Sequence, residues 1–174
     1  MNVSRRALSA MAGAALLVLA VAGAQPAHAH QPVVLTAADT TPARGPLLVD
    51  GTVSFAVYAN VRSGTSRGFR VGLRQGDRLE IQLLIPDQPP ANRLPASQLP
   101  VVRVTAPDGT QQRLPITERT PFFEPYSGTE YLYLARLTAP ASRGIYRVVV
   151  TGASPTETPV VIGVGYREVP GEVR

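Results

Sequence analysis

Apolar and polar residues alternate most cleanly over residues 143–152, Arg-Gly-Ile-Tyr-Arg-Val-Val-Val-Thr-Gly. Tyr146, Val148 and Val150 fall on one face, and Ile145, Arg147, Val149 and Thr151 on the other. Four of these seven are β-branched aliphatics, which suits a strand buried on one side, so this segment reads as a central strand. Seven other segments have strand character. Phe55, Val57, Ala59 and Val61 alternate with polar or small residues. Phe69, Val71 and Leu73 do so before a Gln75-Gly76-Asp77 turn, and Leu79, Ile81, Leu83 and Ile85 after it; this pair reads as a hairpin. Residues 101–105 and 111–116 flank a Pro107-Asp108-Gly109 turn in which Gly109 is free to take positive φ. Tyr131, Tyr133, Ala135 and Leu137 share one face of the next strand, opposite Leu132, Leu134 and Arg136. In the last, Val160, Ile162, Val164 and Tyr166 oppose Val161, Gly163 and Gly165, whose glycines predict a close neighbour or a bulge.

Two stretches break the pattern. Residues 86–100 hold five prolines and read as a long loop, and residues 117–129 read as a second. Residues 33–35 are a further short strand candidate. No segment after the leader keeps a helical period, so the pattern predicts an all-β fold, an antiparallel β-sandwich of the jelly-roll kind with about eight strands. The expected organisation is a signal peptide over 1–29, an extended segment over 30–50, the sandwich over 51–168 and a polar tail over 169–174.

The leader changes the picture of where the fold works. Arg5 and Arg6 precede an uncharged run from Ala10 to Ala24, about 15 residues against the roughly 20 of a membrane span. Ala27-His28-Ala29 is a small-x-small cleavage site and Ala22-Gly23-Ala24 a second. These predict an exported protein, secreted or held in the periplasm or cell envelope, with no stable membrane span after processing. Ser4-Arg5-Arg6-Ala7-Leu8 matches a twin-arginine signal only in part, which leaves the general secretory route as the default.

Composition then narrows the chemistry. There is no Cys, hence no disulfide, thiolate metal site or thiol nucleophile. All 17 basic residues are Arg; without Arg5 and Arg6, 15 remain against 12 acids, about +3. They are scattered and not interleaved with aromatics, so the sequence predicts no nucleic-acid partner.

Three pieces together resemble a known family: Gly76-Asp-Arg-Leu-Glu-Ile-Gln-Leu83, Val104-Thr-Ala-Pro-Asp-Gly-Thr110, and residues 138–152. They are similar to the bacterial pre-peptidase C-terminal (PPC) domains, small secreted β-sandwiches, over roughly residues 51–166. The resemblance implies a stand-alone PPC-like member with a binding or stabilising role. Some domains of that family bind calcium through acidic residues near the start of the domain. Residues 120–128, Thr-Pro-Phe-Phe-Glu-Pro-Tyr-Ser-Gly, are outside the usual family pattern.

Candidate chemistry is sparse. Cleavage after Ala29 makes His30 the N-terminus, where its amine and ring could take copper, but the remaining chain holds no second His. The same shortage leaves no base for a Ser-His-Asp triad except His30, on a terminus with no visible anchor. Paired carboxylates such as Glu118 and Glu124 are the one catalytic chemistry that composition allows. Phe122, Phe123, Glu124 and Tyr126 form the densest aromatic segment. In one reading it presents rings to a sugar or protein partner, with Glu124 fixing polar groups or an ion. In the favoured one, the rings plug one end of the sandwich and Glu124 pairs with an Arg such as Arg119. The sequence thus predicts a secreted non-enzymatic binding or envelope-associated module, with a glycan or envelope protein as partner and no cofactor. A small metal-binding module, with calcium at loop carboxylates or copper at His30, is the alternative, with His30 and Glu124 as candidate ligands. A carboxylate-dependent secreted hydrolase is the second.

Overall fold

A computed structural model describes residues 30–125 and 127–174; residues 1–29, read from the sequence as a signal peptide, and Tyr126 lie outside the described residues. The strands are β1 (Gln31–Val34), β2 (Leu47–Leu48), β3 (Phe55–Val61), β4 (Ser66–Leu73), β5 (Arg78–Pro86), β6 (Val101–Thr105), β7 (Gln111–Arg113), β8 (Thr120–Glu124), β9 (Thr129–Pro140), β10 (Gly144–Thr151) and β11 (Thr158–Val164). They form a six-stranded sheet in the order β1-β3-β11-β5-β9-β8 and a five-stranded sheet in the order β2-β4-β10-β6-β7. The fold is a β-sandwich. Its helical content among the described residues is two 3-10 turns, at Ala91–Arg93 and Ala96–Gln98. No helix there is long and apolar enough to cross a membrane.

The inward faces supply the core. Phe55, Val57, Ile81, Leu83, Ile85, Leu134, Ile162 and Val164 from the larger sheet meet Phe69, Val71, Val102, Val104, Val148 and Val150 from the smaller, all essentially fully buried. β10 is the middle strand of its sheet, between β4 and β6, with Tyr146, Val148 and Val150 inward. The Tyr146 hydroxyl accepts the Ser142 backbone N–H at 2.9 Å, which ties the approach to this strand.

Four features differ from the sequence reading. First, β4 and β5 are not a hairpin: β4 pairs with β2 and β10, β5 with β11 and β9. The chain arches from one sheet to the other at Gln75-Gly76-Asp77, so the two apolar faces meet across the core. Among the described strands, only β6–β7 and β8–β9 are hairpins, the first turning at Gly109 with φ of 90° as expected. Second, two edge pairings are parallel, β1 with β3 and β2 with β4, where the sequence predicted antiparallel order throughout. The segment 30–50 is therefore woven into both sheets, and Val173 in the tail bridges Leu48. Third, residues 120–124 are a strand, not a loop, because β9 offers a free edge to which they pair. Fourth, β9 carries an extra residue opposite β5, between the Leu83 and Leu84 positions. The bulge turns Ala135 inward beside Leu134 and sends Arg136 outward, so strict alternation fails there. It resolves the conflict of a charged residue sharing a face with Leu132 and Leu134.

The glycine-rich last strand behaves as predicted at one point. Gly165 has φ of 72°, and a Cβ there would lie 2.1 Å from the Val53 carbonyl oxygen. The proline-rich stretch 86–100 crosses from β5 to β6 as an ordered segment, placing Ala91, Leu94 and Leu99 in the inter-sheet core.

Candidate functional site

A solvent-facing sheet surface is ordinarily polar, and the outer face of the six-stranded sheet is not. Positions that alternate with the core bring Tyr58 and Ala56 of β3, Val161 of β11, Leu84 of β5, Tyr131 and Tyr133 of β9, and Phe122 of β8 into a second apolar cluster. Register assembles it: Tyr58 is opposite Val161, Val161 opposite Leu84, Leu84 opposite Tyr133, and Tyr131 opposite Phe122. The β9 bulge keeps both tyrosines and Arg136 on this face, a placement typical of bulges beside working surfaces.

The cluster encloses a concavity of about 220 Å³. Its floor includes Gly163, where a Cβ would meet the Gln82 Oε1 atom at 3.1 Å; a side chain there would begin to fill the space. Gln82, Glu124, Ser127 and His30 supply polar groups at its wall. Phe122 packs against Tyr133 with ring centroids 5.2 Å apart and planes inclined by 49°. Arg136 lies over the Tyr133 ring, 3.9 Å from the centroid, and pairs with Glu118 at 3.1 Å. The rings are thus held by their neighbours before any ligand arrives. Burial pushes the Tyr58 hydroxyl above the ordinary tyrosine range, helped by Tyr131, by the Glu124 carboxylate and by a hydrogen bond with Tyr131. Burial raises Tyr133 as well, with Arg136 opposing and Glu118 and Glu80 reinforcing. Both hydroxyls stay protonated near neutral pH and can donate.

The residues singled out by sequence divide. Phe122 is mostly buried in the outer cluster, whereas Phe123 alternates to the other side and is 56% exposed. The plug expected of this segment is corrected on that account: an edge strand cannot send both neighbouring rings to one place. The inter-sheet apolar contacts come instead from Leu94 and Leu99 of the proline-rich stretch. Arg119 is not the partner of Glu124; its guanidinium donates to the carbonyls of Asn92 and Leu94. Glu124 accepts the Ser127 N–H at 2.7 Å and lines the concavity. Glu118 is occupied by Arg136 and the Thr120 hydroxyl. His30 lies on the same wall as Glu124, bonded through Nδ1 to the Ser54 hydroxyl and anchored by β1, not on a loose end. Among the described residues, no group of three or more His, Asp or Glu stands close enough to hold a metal ion.

Sequence reasoning missed Tyr58, Leu84, Val161 and Gly163. They are outward positions on three strands, β3, β5 and β11, and only the order β3-β11-β5-β9-β8 brings them beside Tyr131, Tyr133 and Phe122. The available signal was the number of apolar residues at polar-face positions of strands otherwise alternating well. Comparison with family models and with curated proteins finds no match to this chain.

Proposed function

We propose that this is an exported, non-enzymatic binding module whose site is the aromatic concavity on the outer face of the six-stranded sheet, and whose ligand is a glycan. The observation that carries the reading is the cluster of Tyr58, Phe122, Tyr131 and Tyr133 at positions where a sandwich needs only polar residues. Such a surface costs solvation without adding to the inter-sheet core, which favours a role in recognition. A concave, mostly apolar space with a few directed polar groups is the usual form of a small-ligand site. Its 220 Å³ falls below the roughly 300–1,000 Å³ of sites that enclose a drug-sized molecule, which suits one ring of a longer chain. A sugar ring offers an apolar face to the tyrosines and hydroxyls to Gln82, Glu124 and the two raised-pKa phenols. The leader sequence and the likeness to PPC domains, which serve as binding appendages of secreted enzymes, agree with this role.

The test is a Gly163→Val variant. Valine suits a strand; its Cβ would meet the Gln82 Oε1 at 3.1 Å, which can swing away, and the Gln82 Cβ at 3.3 Å, which cannot, so a cost of about 1–3 kcal/mol is expected and binding is compared on protein shown to be folded by circular dichroism. Screening the wild type against an array of envelope and plant-wall glycans should find a binder, and G163V should lose that binder. Retention of full affinity by a folded G163V protein would refute the site.

A further inference from the structure

Charge divides between the two sheets. The strands of the five-stranded sheet contain five Arg residues, Arg67, Arg70, Arg103, Arg113 and Arg147, and no acid. Those of the six-stranded sheet contain two Arg and three Glu. The smaller sheet alone therefore carries more positive charge than the net of the whole described chain, which is 15 Arg against 12 acids.

Four of the five form an ordered set. Arg70, Arg147 and Arg103 alternate with the buried residues of β4, β10 and β6, so they occupy the outer face. Arg113 joins them because it stands directly opposite Arg103. Arg70 stands directly opposite Arg147. Arg147 is opposite Thr105, two positions from Arg103, so this third pair is a diagonal. One guanidinium per strand thus runs in a band across β4, β10, β6 and β7. With strands about 4.8 Å apart, the band reaches over about 15 Å. Outward neighbours in the same rows are Thr105, Gln111, Val149 and Gly68, all uncharged. The ion pairs seen among the described residues use Arg78, Arg136, Arg167 and Arg174, none of the four. Like charges directly opposite on a sheet are destabilising, and here there are two such pairs side by side. Arg70 is half-buried, its Nη2 donating to the Gly45 carbonyl at 3.1 Å, which fixes one end of the band.

We propose that the outer face of the five-stranded sheet binds an acidic polysaccharide laid along this band. A linear polyanion matches a linear series of cations, and the guanidinium fork suits carboxylate, sulfate or phosphate oxygens taken two at a time. Single-stranded nucleic acid is disfavoured because its bases need aromatic platforms, and the outward positions of these strands hold none. A lipid surface is disfavoured because basic residues on membranes act with inserting apolar side chains; Ile145, 39% exposed, is the one exposed large apolar residue of these strands. The band lies on the opposite sheet from the tyrosine concavity, so the proposal stands whether or not that site binds a glycan.

The experiment uses the processed, exported protein with polygalacturonate and dextran sulfate as probes. Arg103→Gln/Arg113→Gln and Arg147→Gln change exposed residues, and their thermal midpoints should equal or exceed the wild type because a like-charge contact is relieved. Wild type should bind one or both polysaccharides with salt-sensitive affinity. The double variant should bind about tenfold more weakly, with a flatter salt dependence. Equal binding by wild type and the Arg variants, or no binding of either polysaccharide at low salt, would overturn the proposal. So would tighter binding to phosphatidylglycerol vesicles or to a single-stranded oligonucleotide.

Discussion

Phe122 and Phe123 are neighbours of the same type on one edge strand, and the structure gives them opposite fates. This makes a paired perturbation possible. Changing either to Ala removes the same side chain and the same strand preference, which for an aromatic is worth up to about 1 kcal/mol. Only Phe122 also loses packing, because it sits in the outer cluster against Tyr133 while Phe123 is 56% exposed. A fully buried Phe→Ala change costs about 3–5 kcal/mol. Phe122 is mostly but not fully buried, so the greater part of that applies, roughly 2–4 kcal/mol. The tilted contact with Tyr133 contributes about 0.5–1.5 kcal/mol of it. Phe123→Ala should cost about 0.5 kcal/mol. The chain has no Trp, so urea unfolding is best followed by far-UV circular dichroism. The midpoint should fall for Phe122→Ala with an unchanged slope, and barely move for Phe123→Ala. Adding Tyr133→Ala to each should reveal a coupling of about 0.5–1.5 kcal/mol with Phe122 and near zero with Phe123. Equal costs for the two single variants, or a larger cost at Phe123, would refute the assignment of Phe122 to the cluster and with it the shape of the candidate site.

Three further outcomes are expected. Ultraviolet titration should show Tyr58 and Tyr133 ionising above the usual value near 10, and Glu124→Gln should bring Tyr58 down, since the carboxylate is one cause of its rise; an unmoved Tyr58 would place Glu124 away from the concavity. Asp50 is pushed up by burial but held below the usual carboxylate range by the Thr52 hydroxyl and N–H and by Arg167 at 3.6 Å. Its contribution is therefore present above about pH 4 and lost as pH falls through the depressed value; Asp50→Asn should weaken the fold at pH 7 by about 0.5 kcal/mol and by progressively less as pH falls below 4, as chemical denaturation across that range would show. Leu99→Ala should cost about 2–5 kcal/mol although it lies in the proline-rich stretch, because Leu99 is 1% exposed in the main core; a cost under 1 kcal/mol would show that stretch to be a surface loop.

Much of the fold was legible because period-2 alternation assigns faces without knowledge of partners. Tyr146, Val148 and Val150 were readable as inward from the sequence, and they are. Alternation says nothing about which strand lies alongside. The Gln75-Gly76-Asp77 turn is short enough for a hairpin, and its flanking strands have equal claims to pair. What decides for an arch is that each has an apolar run on one face, Phe69, Val71 and Leu73 on β4 and Leu79, Ile81, Leu83 and Ile85 on β5, and stacking those runs across the sandwich buries both. Backbone bonds then hold the arch against β9, from Gly76 N–H to the Ala141 carbonyl at 2.9 Å and from Ala141 N–H to the Asp77 carbonyl at 2.8 Å. The strand β8 was invisible for a different reason. Thr-Pro-Phe-Phe-Glu has no alternation, and an edge strand with one partner needs none.

The candidate site was less legible than the fold, and the bulge in β9 explains part of the gap. Strict alternation put Tyr131 and Tyr133 on a face with Ala135 and Leu137, and Leu132, Leu134 and Arg136 on the other, without saying which is inward. With Leu132 and Leu134 inward, it would also turn Arg136 inward and Ala135 outward. One extra residue removes that conflict: Leu134 and Ala135 both go inward, and Arg136 goes out with the tyrosines. The bulge puts Arg136 over the Tyr133 ring and within reach of Glu118, where it supports the aromatic wall. Each half of the molecule then has an outer face that the core does not require. On the larger sheet the excess is aromatic; on the smaller it is cationic. The inter-sheet core requires neither, and like charges set opposite one another oppose stability. The aromatic cluster therefore both stabilises its sheet and lines the concavity, while the cationic band is the surface that fold stability does not explain.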